Sequence, residues 1–130
     1  MKKVVQDDGT LVVTEVSAGI PFEVKRLFWV YNVKKGCSRG NHATKKTKLI
    51  LVAIHGSCKV DVDTGKNKKT FLMDDNTKGL YIDEMIWRSM YDFSEDCVML
   101  AICDSIFDPQ NETYDEYEDF IRALKEEDDV

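Results

Sequence analysis

Along the first 107 positions, short apolar or alternating runs are broken roughly every ten residues by Gly, Pro, Asn or Asp, the rhythm of an all-β sandwich or barrel. Strands are predicted at 11–16 after Gly9-Thr10, at 22–33 after Pro21, and at 48–54 after the break at Lys34-Lys35-Gly36. Residues 58–63, Cys-Lys-Val-Asp-Val-Asp, alternate strictly, as a strand with one buried and one solvated face does. Thr64-Gly65-Lys66-Asn67 reads as a hairpin loop into 69–73. Further strands are expected at 79–82, around 87–93 and at 97–103. About nine such strands suit a jelly roll. From Glu112 the period changes. Tyr114, Tyr117, Phe120, Ile121 and Leu124 recur three and four apart, one stripe of an amphipathic C-terminal helix. The acids Glu126-Glu127-Asp128-Asp129 then oppose the helix dipole, so the end is expected to fray.

The length of 130 residues fits one domain, 1–130, with a barrel to about residue 107 and a helix and acidic tail over about 112–130. The longest apolar runs, 49–54 and 98–103, are far shorter than the roughly 20 residues of a membrane helix. Lys2-Lys3 is followed by no apolar stretch of signal-peptide length, which points to the cytosol and makes the Asn-x-Thr match at Asn111 idle. Cys37, Cys58, Cys97 and Cys103 show no C-x-x-C spacing and read as reduced, structural thiols. The net charge of −6 is unevenly spread: ten acids and two bases from Asp108 onward carry −8, so residues 1–107 carry +2. A mildly basic body admits a diphosphate ligand and argues against a nucleic-acid-binding face.

Only two histidines are present, which shortens the search for a general base. His42 ends the stretch Gly36-Cys37-Ser38-Arg39-Gly40-Asn41-His42, a glycine-flanked loop entering a strand, where an imidazole can stand at a barrel mouth beside a guanidinium. His55, before Gly56, fits an exposed turn. If one regular strand runs on from residue 42, His42, Thr44, Ile50, Val52 and Ile54 share a face and Leu49, Leu51 and Ala53 the other. Both faces are apolar near residue 50, so parity does not name the inner one. Phe28 and Trp87 are expected to fill the interior. Arg26, Arg39 and Arg88, in otherwise apolar strands, call for acidic partners, either protein carboxylates or a sugar diphosphate. The cluster Lys45, Lys46 and Lys48 reads as a solvated face. No glycine-rich phosphate loop, G-x-S-x-G elbow or convincing Cys-His pair is found.

Taken in order, Ile20-Pro21-Phe22-Glu23-Val24-Lys25-Arg26, Ser38-Arg39-Gly40-Asn41-His42-Ala43, Gly56-Ser57-Cys58-Lys59-Val60, Lys78-Gly79-Leu80-Tyr81-Ile82, and Trp87 with Asp92-Phe93-Ser94 resemble a known family. It is that of the small cupins that isomerise dTDP-4-keto-6-deoxyglucose, the WxcM-like sugar 3,4-ketoisomerases. The match in order and spacing covers most of residues 5–107, and the final Tyr114–Phe120 segment is similar as well. The resemblance implies a metal-free cupin jelly-roll barrel without cofactor, in a homodimer that exchanges N-terminal strands. The ligand would be a dTDP-linked 4-keto-6-deoxyhexose whose keto group moves from C4 to C3 through an enediol, on the way to 3-amino-3,6-dideoxyhexoses of surface polysaccharide. Metal-binding cupins offer two histidines and a carboxylate from the first strand pair and a later histidine; here that stretch holds His42 alone.

His42 matches the first histidine of the family's His-x-His pair, while Thr44 stands where the second, the principal acid/base, is usual. Three readings follow: His42 takes over proton transfer, Thr44 holds a shuttling water, or the domain binds a nucleotide sugar without isomerising it. His42 and Thr44 are therefore the catalytic candidates, and Arg26, Trp29, Tyr31, Arg39 and Arg88 the substrate-binding ones. The resemblance places histidine or arginine at position 88, beside the hexose. Epimerisation at C3 and C5 is a further alternative; it calls for a His-Asp base pair and a tyrosine acid.

Overall fold

The structure is a computed structural model that describes residues 1–110 and 112–128. The glycosylation-like match at Asn111 and the last two residues of the acidic tail lie outside the described residues. The N-terminal strands β1 (Lys2–Gln6) and β2 (Gly9–Val13) form a hairpin of their own, followed by the short parallel pair β3 (Glu15–Val16) and β4 (Gly19–Ile20). Then come β5 (Arg26–Tyr31), β6 (Arg39–Thr44), β7 (Leu49–His55), β8 (Cys58–Asp63), β9 (Lys68–Met73), β10 (Gly79–Ile82), β11 (Trp87–Tyr91), β12 (Val98–Cys103), β13 (Thr113–Tyr114) and helix α1 (Tyr117–Asp128). They build a four-stranded sheet, β10-β7-β12-β5, and a five-stranded one, β13-β6-β11-β8-β9. All pairings within these two sheets are antiparallel. From β5 to β13 every connection except the β8–β9 hairpin carries the chain from one sheet to the other, as in a jelly roll. Among the described residues no helix is long and apolar enough to cross a membrane.

Sheet switching sets the core. Leu49, Leu51 and Ala53 of β7 and Met99, Ala101 and Cys103 of β12 meet Cys58, Val60, Met73 and Met90 of the facing sheet. On the outer side of the four-stranded sheet, Ile50, Val52 and Ile102 pack under Ile20, Phe22 and Val24. Strand β7 is thus buried on both faces, which explains why its sequence lacks alternation. Fully burying each such aliphatic side chain stabilises by about 1.5–3 kcal/mol.

Three expectations are corrected here. The condition of one regular strand running on from residue 42 is not met: these are two strands in different sheets, because the chain crosses over at Lys45–Lys48, and His42 and Thr44 consequently share the interior with Leu49, not with Ile50 and Val52. Tyr114 lies outside the helix: it pairs with Ala43 across β13 and β6, so the helical stripe begins at Tyr117. Trp87 packs, but outside the barrel, against Tyr117 and Phe120 of α1 at ring distances of 5.3 and 6.0 Å. The helix seats on the β8–β9 hairpin, where Gly65 (φ 88°) leaves no room for a Cβ beside Leu124.

Candidate active site

A backbone irregularity aims the candidate base. Strand β6 pairs with β11 so that Arg88 lies opposite His42 but Ser89 lies opposite Gly40, leaving Asn41 as an extra, unpaired residue. Gly40 (φ 83°) and Asn41 (φ 58°) both take left-handed backbone, which glycine and asparagine tolerate best. Such a bulge bends its strand and re-aims neighbouring side chains. A Cβ on Gly40 would sit 3.3 Å from the Arg88 carbonyl oxygen, so the glycine also lets the two strands close up.

His42, Thr44 and Arg88 converge on a cavity of about 360 Å³. These three line it from the five-stranded sheet; Arg26, Phe28 and Leu49 face them from the four-stranded sheet. Phe107, Glu112 and Thr113 complete the rim. Phe28, expected in the core, is more than one-third exposed, because the barrel is open at this end. The Arg26 guanidinium lies between the Phe28 and Phe107 rings, 5.4 and 5.5 Å from their centroids.

The hydrogen bonds fix who can move a proton. His42 Nδ1 lies 3.0 Å from the Gly40 carbonyl oxygen. A carbonyl only accepts, so Nδ1 carries the hydrogen and Nε2 keeps the lone pair. Burial first, and then the Arg88 cation, hold the imidazole below its ordinary pKa, against the upward pull of the Gly40 bond, Asp115 and Glu112. Near pH 7 His42 is therefore a neutral base. The Thr44 hydroxyl donates to the Thr47 carbonyl at 2.8 Å and accepts from Arg88 Nη2 at 3.1 Å. Its single hydrogen is spent inside the protein, so it orients Arg88 and has no proton for a ligand.

Arg88 is only 3% exposed. Burial pushes its guanidinium down to about 10, partly offset by Cys103 and Glu112, and its Nε has no hydrogen-bond partner. A buried cation with an unused donor is costly unless an anionic or carbonyl oxygen answers it. Glu112, which no sequence pattern singles out, supplies countercharge and closure. It accepts from Thr47 Oγ1 at 2.9 Å and from the Asp108 N–H at 3.2 Å, and it pairs with Arg26 at 3.5 Å. Ser105 then donates to the Thr47 hydroxyl, so Ser105 and Glu112 are both anchored at Thr47.

The structure divides the remaining candidates. Arg26 and Arg88 join His42 and Thr44, whereas Trp29, Tyr31 and Arg39 line a separate open groove around the 32–38 loop. Trp29 and Tyr31 are well exposed and point away from Arg26 and Phe28, as alternation along β5 requires. Five residue steps from Arg26 to Tyr31 span roughly 17 Å. His55 is exposed at the far end of β7, its Nε2 3.2 Å from Asp96. Among the described residues no His, Cys, Asp and Glu cluster has the arrangement to hold a metal ion.

Comparison with known proteins bears on this geometry. A TDP-4-oxo-6-deoxy-alpha-D-glucose-3,4-oxoisomerase from Aneurinibacillus thermoaerophilus is 34% identical over 125 residues, covering 95% of this chain and 90% of the relative. The TDP-fucose-3,4-ketoisomerase WlaRA from Campylobacter jejuni superposes with a TM-score of 0.88 at 35% identity, covering 94% of this chain and 90% of that one. A histidine-to-asparagine variant of the 3,4-ketoisomerase QdtA from Thermoanaerobacterium thermosaccharolyticum, in complex with TDP-4-keto-6-deoxyglucose, superposes with a TM-score of 0.91 at 30% identity, covering 96% and 90% of the two chains. The family described as "FdtA: WxcM-like, C-terminal" matches residues 1–125. With its cupin-type jelly roll and a histidine on the bulged strand at the barrel mouth, this chain belongs to the FdtA/WxcM-like family.

Proposed function

We propose that this protein moves the keto group of a TDP-linked 4-keto-6-deoxyhexose from C4 to C3, residues 1–130 acting as one unit. One observation carries the reading: a neutral imidazole with a free Nε2 lone pair stands directly across the strand pair from a buried arginine with an unused donor. The proton on C3 is acidified by the neighbouring ketone. His42 Nε2 removes it, the C–H electrons form the C3–C4 double bond, and the carbonyl electrons move onto O4. Arg88 and Arg26 stabilise that charge. The O3 proton passes to O4, C4 is reprotonated, and a ketone remains at C3. Thr44 serves this chemistry by orienting Arg88, which favours His42 as the sole side-chain base. His42 Nδ1 is held by a carbonyl instead of a carboxylate, and no tyrosine lines the cavity among the described residues, which weighs against epimerisation at C3 and C5.

The hexose would fill the cavity, and Trp29, Tyr31 and Arg39 would meet the nucleotide end of the ligand. A second copy of the chain is the partner we infer. The β1–β2 hairpin joins neither barrel sheet and exposes Val5 and Leu11, while edge strand β5 exposes Leu27, Trp29 and Tyr31, which suits exchange of N-terminal strands in a homodimer. Buried, unpaired Cys58, Cys97 and Cys103 favour a reducing compartment, the cytosol.

The test is exchange in heavy water. With TDP-4-keto-6-deoxyglucose, deuterium is expected at C3 of the substrate pool and at C4 of a 3-keto product. Saturable binding with no exchange at either carbon would leave a non-catalytic sugar-nucleotide binder. Light scattering is expected to return twice the chain mass.

A further inference from the structure

The cavity is chemically one-sided. Its five-stranded wall carries the side chains able to engage a reacting carbon or oxygen: His42, Arg88 and, behind them, Thr44. The facing wall offers the Phe28 ring, Leu49 and Arg26. Arg26 offers hydrogen-bond donors only, with no acceptor site to take a proton from carbon. Glu112, the cavity's carboxylate, is already occupied by Thr47 Oγ1, the Asp108 N–H and Arg26. A hexose between these walls therefore shows one ring face to a proton-transfer group and the other to apolar or permanently charged groups.

We propose that His42 works alone on one face of the sugar, taking the hydrogen from C3 and returning it to C4 on that same face, so that the product has the galacto configuration at C4. The proposal rests on the isomerase reading above and adds the stereochemical outcome. In the substrate chair, the C3 hydrogen is axial and lies on the ring face shared with the C5 hydrogen. Its removal leaves imidazolium at His42, a C3–C4 double bond and an oxyanion at O4. The O3 proton moves to the neighbouring O4, the O3 electrons form the C3 carbonyl, and the double-bond electrons take the proton from Nε2 at C4. Atoms and charge balance with no co-reactant, and His42 ends neutral. Because delivery comes from the face of the C3 hydrogen, the new C4 hydrogen is equatorial and the C4 hydroxyl axial. Protonation from the opposite face would give the equatorial, gluco hydroxyl and would require an acid on the Phe28–Leu49 wall.

The full-length protein, TDP-4-keto-6-deoxyglucose and proton NMR suffice to decide. Turnover of unlabelled substrate is expected to give a 3-keto sugar with a small H4–H5 coupling. Substrate deuterated at C3, turned over in ordinary water, is expected to place deuterium at C4 above the solvent level. A large H4–H5 coupling in the product overturns the one-face proposal while leaving the isomerase standing. Binding without turnover overturns both.

Discussion

Strand β7 connects two ends of one barrel that treat the same residue type in opposite ways. At its start, Leu49 borders a cavity where His42 is half-buried, tautomer-fixed by a backbone carbonyl and depressed in pKa. At its end, roughly 20 Å along the strand, His55 is exposed and pairs with Asp96, also exposed. Between them lies an apolar core. A histidine becomes a usable base only where the fold both desolvates it and commits one of its nitrogens. The fold does this at the end where the Arg88 charge is buried, not at the end where charge is solvated.

Exchanging the two histidines for asparagine gives the widest separation. His42→Asn is expected to lower kcat by roughly 10³-fold, within the range of general acid–base catalysis, and His55→Asn to leave turnover unchanged; coupled turnover assays of the two variants check both. Equal losses would erase the contrast. Arg88→Met comes next. Removing the donor at the developing oxyanion should lower kcat on the order of 10²-fold. Stability should hold or rise, because an apolar side chain replaces a buried cation, and urea melts report it. A variant that unfolds instead would make Arg88 a structural pillar.

Thr44→Val should act more gently, by about tenfold in kcat and about 1–3 kcal/mol in stability, since it strands an Arg88 donor and loosens its aim. Preferential loss in kcat over KM, read from saturation curves, separates positioning from binding. The smallest effect is on pH. His42 must be neutral to act, so kcat/KM falls as pH drops through its folded pKa, which lies below the ordinary 6.5. Arg88→Met removes one of the causes of that depression, so the acid limb should move upward in a pH–rate profile.

Most barrel strands were readable because one face was wet. The alternation of 58–63 and the Thr64–Asn67 loop reappear in β8 and its hairpin with register Asp63 opposite Lys68. Parity does not carry from 42 to 54 for a physical reason: the chain changes sheets at Lys45–Lys48, and β7 beyond it is dry on both sides, so its own pattern does not show which face continues that of His42. Tyr114 fits a helical stripe by spacing, yet its backbone is claimed by β6. In the site, His42 stood out through rarity and Arg26 and Arg88 through charge in apolar strands. Glu112 did not, because its importance comes from partners 65 and 86 positions earlier, Thr47 and Arg26, that no local pattern joins to it. The separation of Trp29 and Tyr31 from Arg26 was latent in strand alternation, but only the pairing partners of β5 show which side faces the cavity.

The unpaired Asn41 makes the site sensitive to length as much as to chemistry. Deleting Asn41 would leave Gly40 opposite Ser89 and His42 opposite Arg88 with no residue between, ironing out the kink and the bend that aims the imidazole. A change of side chain can pass through this strand with the bend kept, whereas the loss or gain of one residue changes the aim itself.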